Sequence, residues 1–128
     1  MDAFDSDVLI FIAGADGRGA RALAALVDGT PNVGSVVLLP ELLSKPVRMG
    51  ATGEKGDLQS LLSRIELKEV DRETADAATS FAAKYRLKAA DAIHLATAVI
   101  WGADRFHTNN RKDFGPHVTE IEVVYPSC

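Results

Sequence analysis

The chain has 128 residues, 47% of them hydrophobic and 25% charged, which suffices for a buried core and is too apolar for a disordered polypeptide. Its formal net charge of −4 speaks against a protein that binds nucleic acid by neutralising phosphates with lysine and arginine, although an enzyme working through bound cations escapes that exclusion because the ions reverse the local field. No apolar run approaches the roughly 20 residues that span a bilayer, and the one cysteine, Cys128, has no disulfide partner and no rigid setting for a nucleophile, so a single cytoplasmic domain over residues 1–128 is expected.

Ala3–Asp5 reads as a very short strand running into a helix over Val8–Ala13, with Ser6 or Asp7 as its N-cap. Arg18–Val27 repeats Ala22, Leu23, Leu26 and Val27 at helical spacing, and Asp28-Gly29 supplies a stop. Val33–Leu39 is aliphatic and β-branched, hence a buried strand, and Pro40 then suits the first turn of a short helix over Glu41–Ser44. Pro46 to Gly56 holds three glycines and one proline and is read as a loop. A helix over Asp57–Arg64 turns Leu58, Leu61 and Leu62 inward, and Ile65–Val70 alternates as a half-exposed strand. Asp71, with Thr74 close behind, caps a helix over Ala75–Tyr85; Ala89–Trp101 is the most apolar helix, closed by Gly102. Arg105–Thr108 and Ile121–Val124 are the last two strands. Strands alternating with helices predict an α/β fold with a mainly parallel sheet.

Such sheets bind ligands beyond the carboxyl ends of their strands. Asp5 closes the first predicted strand, Glu41 follows the second by two residues, and Asp113 lies in the polar loop after the last but one. Asp91 sits near the start of the most apolar helix, in Ala89-Ala90-Asp91-Ala92-Ile93. The positive end of a helix dipole or a pairing with Lys88 would account for an isolated aspartate there; three other acids at strand ends point instead to a cluster. Crowded carboxylates repel one another. A divalent cation removes that conflict, and hard oxygen ligands suit Mg²⁺ or Mn²⁺, ions that activate water and stabilise charge on a phosphoryl group. No His-x-x-x-His or Cys-x-x-Cys pair offers a zinc site, and Gly14-Ala15-Asp16-Gly17 does not continue into a phosphate-binding loop.

Four segments recur in an order that spans nearly the whole chain: Phe4-Asp5-Ser6-Asp7-Val8-Leu9-Ile10, Val36-Val37-Leu38-Leu39-Pro40-Glu41-Leu42-Leu43, Ala89-Ala90-Asp91-Ala92-Ile93-His94-Leu95-Ala96-Thr97-Ala98, and Thr108-Asn109-Asn110-Arg111-Lys112-Asp113-Phe114. In them the chain resembles the PIN domain, and within it the VapC-type toxin ribonucleases of prokaryotic toxin–antitoxin pairs. The resemblance implies a three-layer α/β/α fold, Mg²⁺- or Mn²⁺-dependent endoribonuclease activity, a cognate antitoxin protein and a homodimer. By matching position it implies that Asp5, Glu41 and Asp91 are catalytic or metal-binding. Many relatives carry Thr-x-Asp where this chain has Asn110; Asp113, in a Thr-x-Asn-x-x-Asp-Phe variant, is expected to complete the catalytic set, with Thr108 and Asn110 as polar neighbours.

Ser6 is expected to bond to the site or to cap its helix, and Asp7 to act as a cap. His94, three residues beyond Asp91, is expected to be a packed helix histidine, His107 and His117 to lie at the surface, and Trp101 in the core or an interface. Arg18, Arg21, Lys45, Arg48, Arg111 and Lys112 are candidate phosphate contacts, each equally explicable as solvated surface charge. The Leu58–Leu62 region and the early helices are expected to supply an apolar groove for an antitoxin segment. Asn110 and the acidic net charge motivate a second expectation, a PIN-like domain that binds RNA or protein without cleaving it. A third is a metal-dependent phosphatase of small molecules.

Overall fold

In a computed structural model, described over residues 1–14 and 19–126, five short strands lie side by side: β1 (Asp2–Phe4), β2 (Asn32–Ser35), β3 (Glu66–Lys68), β4 (Arg105–His107) and β5 (Glu122–Val124). Their order is β3-β2-β1-β4-β5 and every pairing is parallel. The chain starts in the middle, builds outward on one side through β2 and β3, then returns to add β4 and β5 on the other. The order therefore reverses at β1, which places a crevice at its carboxyl end. Ala15-Asp16-Gly17, Arg18 and Cys128 lie outside the described residues.

Alternation along the strands divides the core in two. Ala3, Val33 and Phe106 face one way and pack with Ala92, Leu95 and Ala96 of α6 (Ala89–Ile100) and Ala78 of α5 (Arg72–Tyr85). Phe4 faces the other way, into a cluster with Val8 and Leu9 of α1 (Ser6–Ala13), Leu26 of α2 (Ala20–Leu26), Leu38 and Leu42 of α3 (Leu38–Met49) and Leu58 and Leu62 of α4 (Thr52–Leu62). The result is the expected three-layer α/β/α arrangement. Among the described residues, no helix is long and apolar enough to cross a membrane.

The predicted second strand, Val33–Leu39, is too long. The chain turns after Ser35, whose hydroxyl accepts from the Val37 N–H at 3.0 Å, and Leu38 already begins α3. The strand preference of Val36-Val37 loses to a side-chain bond that closes the turn. The expected loop from Pro46 to Gly56 is mostly helix. α3 runs through Pro46 to Met49 and stops at Gly50, whose φ of 64° lets the Gly50 and Ala51 N–H groups return to the Val47 and Pro46 carbonyls. α4 then starts at Thr52, five residues before the predicted Asp57, with Gly53 and Gly56 open to solvent. Buried Leu42, Pro46, Leu58 and Leu62 outweigh the local cost of proline and glycine. Further along, Asp71 caps α5 as expected, its Oδ1 accepting from both the Thr74 N–H and hydroxyl.

Candidate active site

The residue that ends β1 also starts α1. Asp5 extends the sheet by donating its N–H to the His107 carbonyl at 2.8 Å, and its extended backbone then lets the carboxylate accept from the Ser6 N–H at 2.8 Å. The N-cap is thus Asp5, rather than the expected Ser6 or Asp7. Ser6 contributes its N–H as the first residue of the helix. The second carboxylate oxygen of Asp5 accepts from the Thr108 hydroxyl at 2.9 Å, across the β1–β4 junction. Both oxygens are therefore fixed while the residue is only 3% exposed. Burial, then the charge of Asp7, raises the Asp5 pKa to about 7; Asp91 adds to the rise, whereas the Thr108 bond and His94 oppose it.

Asp91 lies in the first turn of α6. Its pKa is raised, chiefly by burial, with His94 and Lys88 opposing and the charges of Glu41 and Asp113 reinforcing. It also reinforces the upward shifts of Asp5 and Asp7. Asp113 is tied down locally: its carboxylate accepts from the Asn110 amide at 2.9 Å, and its N–H donates to the Asn110 side-chain oxygen at 3.1 Å. Asn110 in turn donates its N–H to the Thr108 hydroxyl at 3.1 Å. Thr108, Asn110 and Asp113 thus form one bonded chain leading to Asp5.

Two further residues beside these acids carry contacts that differ from the expected ones. Asp7 is no cap; it accepts from the Asn109 N–H at 3.2 Å, and its pKa too is raised, first by burial. His94 is buried, as expected of a packed helix residue, but its Nε2 is bonded to a Glu41 carboxylate oxygen. Its place one turn from Asp91 was the available signal; the Glu41 partner, 53 residues away, was not. His107 is buried and stacked on Phe4, with ring centroids 4.5 Å apart, rather than on the surface. His117 is exposed as expected. Trp101 is 44% exposed, outside the core, with the Lys68 ammonium 4.0 Å from its ring centroid. Arg21, Lys45, Arg48, Arg111 and Lys112 are all exposed.

The donors are carboxylate oxygens, the class that Mg²⁺ and Mn²⁺ prefer, and the raised proton affinities mark negative charge that a cation would relieve. In chemistry the set fits a divalent ion. In geometry it is open: among the described residues no three acidic, histidine or cysteine side chains converge closely enough to hold one. Glu41 is engaged with His94, and Asp113 with Asn110.

The PIN domain family model matches residues 3–115, and the chain belongs to that family. No curated protein sequence matches it. Among solved structures, a toxin–antitoxin complex from Klebsiella pneumoniae is similar at 24% identity and a TM-score of 0.79, over 98% of each chain. DNA-bound VapBC from Salmonella typhimurium is similar at 18% identity and a TM-score of 0.79, over 98% of this chain and 97% of that one. VapBC2 from Rickettsia felis, bound to a DNA fragment from the promoter of the pair, is similar at 14% identity and a TM-score of 0.77, over 97% of each chain.

Proposed function

We propose that this PIN domain is the toxin ribonuclease of a toxin–antitoxin pair, and that it hydrolyses RNA phosphodiester bonds at the carboxylate cluster with Mg²⁺ or Mn²⁺. The observation that carries the reading is Asp5: a buried carboxylate raised to about 7 with other acids as neighbours and, among the described residues, no ion pair to lysine or arginine. Buried charge left this way at a strand end marks a site for a ligand. Asp5 and Asp91 would hold the ion, with Glu41 and Asp113 beside them. When bound, such an ion lowers the pKa of water and stabilises charge developing on phosphorus. The chain's own work is positioning: Thr108 and the Ser6 N–H orient Asp5, Asn110 orients Asp113, and His94 holds Glu41. Water is the nucleophile, and no side chain is required in that role.

The solved relatives named as toxin–antitoxin complexes support an antitoxin partner, and the surface supports a place for one. Two hollows of about 250 and 320 Å³ flank α1, one lined by Ile10, Ala13 and Leu58 with Glu54 among them, the other by Ile12, Leu23 and Leu61 with Asp57 and Ser60 among them. They suit the apolar side chains of an amphipathic segment. A homodimer is part of the same reading; Leu39 and Val47, exposed two turns apart on α3, offer apolar surface to a second copy.

The test is cleavage of a panel of fluorescent single-stranded and hairpin RNAs with and without Mg²⁺ or Mn²⁺, beside a generic phosphomonoester. Metal-dependent RNA cleavage is expected, with loss in Asp5→Asn and Asp91→Asn at unchanged circular dichroism. Undiminished cleavage by both variants would overturn the assignment, and hydrolysis of the phosphomonoester alone would make the protein a phosphatase. The Glu41–His94 bond, which holds one acid out of a closed trio, is the observation favouring a non-cleaving RNA- or protein-binding role. Calorimetry showing no Mg²⁺ or Mn²⁺ binding would favour that alternative.

A further inference from the structure

Immediately after β5 the chain places Tyr125, a residue with no part in the acidic cluster. Its ring carries the Arg111 guanidinium 4.1 Å from the centroid, and its hydroxyl donates to the Phe114 carbonyl at 2.5 Å. Both contacts fall on the segment from Asn110 to Phe114, the segment that also carries Asp113. The location is fixed by the sheet. Thr108 donates its N–H to the Val124 carbonyl at 2.9 Å, while its hydroxyl reaches Asp5. Tyr125 therefore follows the β4–β5 junction at the same carboxyl edge, separated from the end of β1 only by β4.

The pairing holds a cation without neutralising it. A cation held over a ring face is attracted by the ring's quadrupole, which uses up no lone-pair acceptor and leaves most of the guanidinium N–H donors open to a ligand. Among the described residues, the Arg111 guanidinium makes no hydrogen bond or ion pair. The acid closest in sequence, Asp113, is satisfied instead by the Asn110 amide. An exposed arginine side chain ordinarily loses considerable rotamer freedom on binding, and seating it on a ring in advance lowers that cost. A cluster of carboxylates repels a polyanion, so a pre-seated guanidinium on the segment that carries Asp113 is what a phosphodiester strand needs in order to settle there.

We propose that Arg111, seated on Tyr125, is the phosphate clamp of this site: it takes a backbone phosphate flanking the bond to be cut. The proposal rests on the ribonuclease reading above. It assigns Tyr125 as a positioning residue and gives Asn110 a second effect, since by engaging Asp113 it keeps Arg111 available to substrate.

The experiment is steady-state cleavage of a fluorescence-quenched, mixed-sequence single-stranded RNA at several salt concentrations. For Arg111→Ala, KM is expected to rise about tenfold, the loss of one charge-assisted contact, with a smaller change in kcat. The salt dependence of log KM should shrink by about 0.7 per tenfold change in salt, the value for one phosphate contact on a single strand. Arg111→Lys, which keeps the charge and loses the planar fork, should fall between. Tyr125→Leu should raise KM as Arg111→Ala does, and the double variant should be no worse than either single, because ring and cation act as one unit. Arg111 is exposed, so its substitution is not expected to unfold the protein; a thermal melt checks this and the Tyr125 variant alike. If wild type cleaves and Arg111→Ala keeps its KM and salt dependence, the clamp is refuted and the ribonuclease reading stands. Additive effects of the two substitutions refute the seat on Tyr125. If wild type cleaves no RNA with either metal, the underlying reading fails first and the clamp with it.

Discussion

β1 carries or adjoins two buried aspartates three residues apart, and the fold treats them in opposite ways. Asp2, at the amino end, is wholly buried, and both of its oxygens meet the fork of Arg105, at 2.9 and 3.1 Å. Asp5, at the carboxyl end, is nearly as enclosed but, among the described residues, receives only a hydroxyl and a backbone N–H, and Asp7 and Asp91 repel it. Burying a charge beside a matched counter-ion is tolerable, whereas burying it among like charges is costly. The chain supplies a cation to Asp2 and none to Asp5 among the described residues, and the proposed metal ion would relieve that second charge.

The largest effect should come from deleting charge at the carboxyl end. Asp5→Asn keeps the shape but exchanges one accepting, anionic oxygen for an amide nitrogen that can only donate, and Asp91→Asn removes the charge from the first turn of α6. Each is expected to lower kcat/KM for metal-dependent RNA cleavage about a thousandfold, equivalent to about 4 kcal/mol of transition-state stabilisation. Thermal melts in chelator should show Asp5→Asn to be more stable than wild type at pH 8. A loss of activity accompanied by unfolding would place Asp5 with Asp2, as a structural charge.

A smaller loss is expected from His94→Gln. His94 bonds to Glu41 and lowers the proton affinity of both Asp5 and Asp91. Without the imidazole both acids hold their protons more tightly, so Mg²⁺ half-saturation should rise about tenfold near pH 7 and recover as pH increases. An unchanged half-saturation and an unchanged pH profile would reduce the Glu41–His94 bond to packing. At the amino end the pattern should invert: Arg105→Ala strands the buried Asp2 carboxylate and is expected to lower the melting temperature by about 5 °C, with kcat and KM within twofold of wild type. Lost activity at unchanged stability would erase the distinction between the two ends.

The contrast was only half legible in the sequence. Asp5 and Asp91 stand out in the sequence because each sits badly for a structural residue, one at a strand end and one in the most apolar helix. Asp113 stands out by its polar loop, where it is bonded to Asn110. Asp2 gave no signal: its partner is 103 residues away, and an acid beside the first residue looks solvated. The same limit hid the Glu41–His94 bond and the Tyr125 ring beneath Arg111. Among the elements, α1, α2, α6 and the edge strands follow from local period, and α5 from period together with its Asp71 cap. α3 and α4 do not, because Pro46, Gly50, Gly53 and Gly56 argue locally for a loop, and the buried leucines that overrule them act only after collapse.

The subtlest difference between the two ends should appear in stability against pH. The folded-state pKa of Asp5 is about 7, against about 3.9 for an unfolded aspartate. Between those values the folded chain holds a proton that the unfolded chain has released, so this group's contribution to stability declines as pH rises from about 4 to about 7 and is level above. Asp7 and Asp91, also raised, act in the same direction. His107, whose pKa is lowered by burial, acts oppositely below about 6.5, so the total curve mixes signs. The difference between wild type and Asp5→Asn removes His107 from the comparison. In chelator the melting temperatures of the two should nearly coincide at pH 4 and separate to several degrees by pH 7.5, with wild type the lower. Mg²⁺ or Mn²⁺ should close or reverse that gap, because the ion binds the ionised carboxylate and competes with the proton. A gap that is constant with pH, or that ignores the metal, would mean that Asp5 is neutralised within the fold as fully as Asp2.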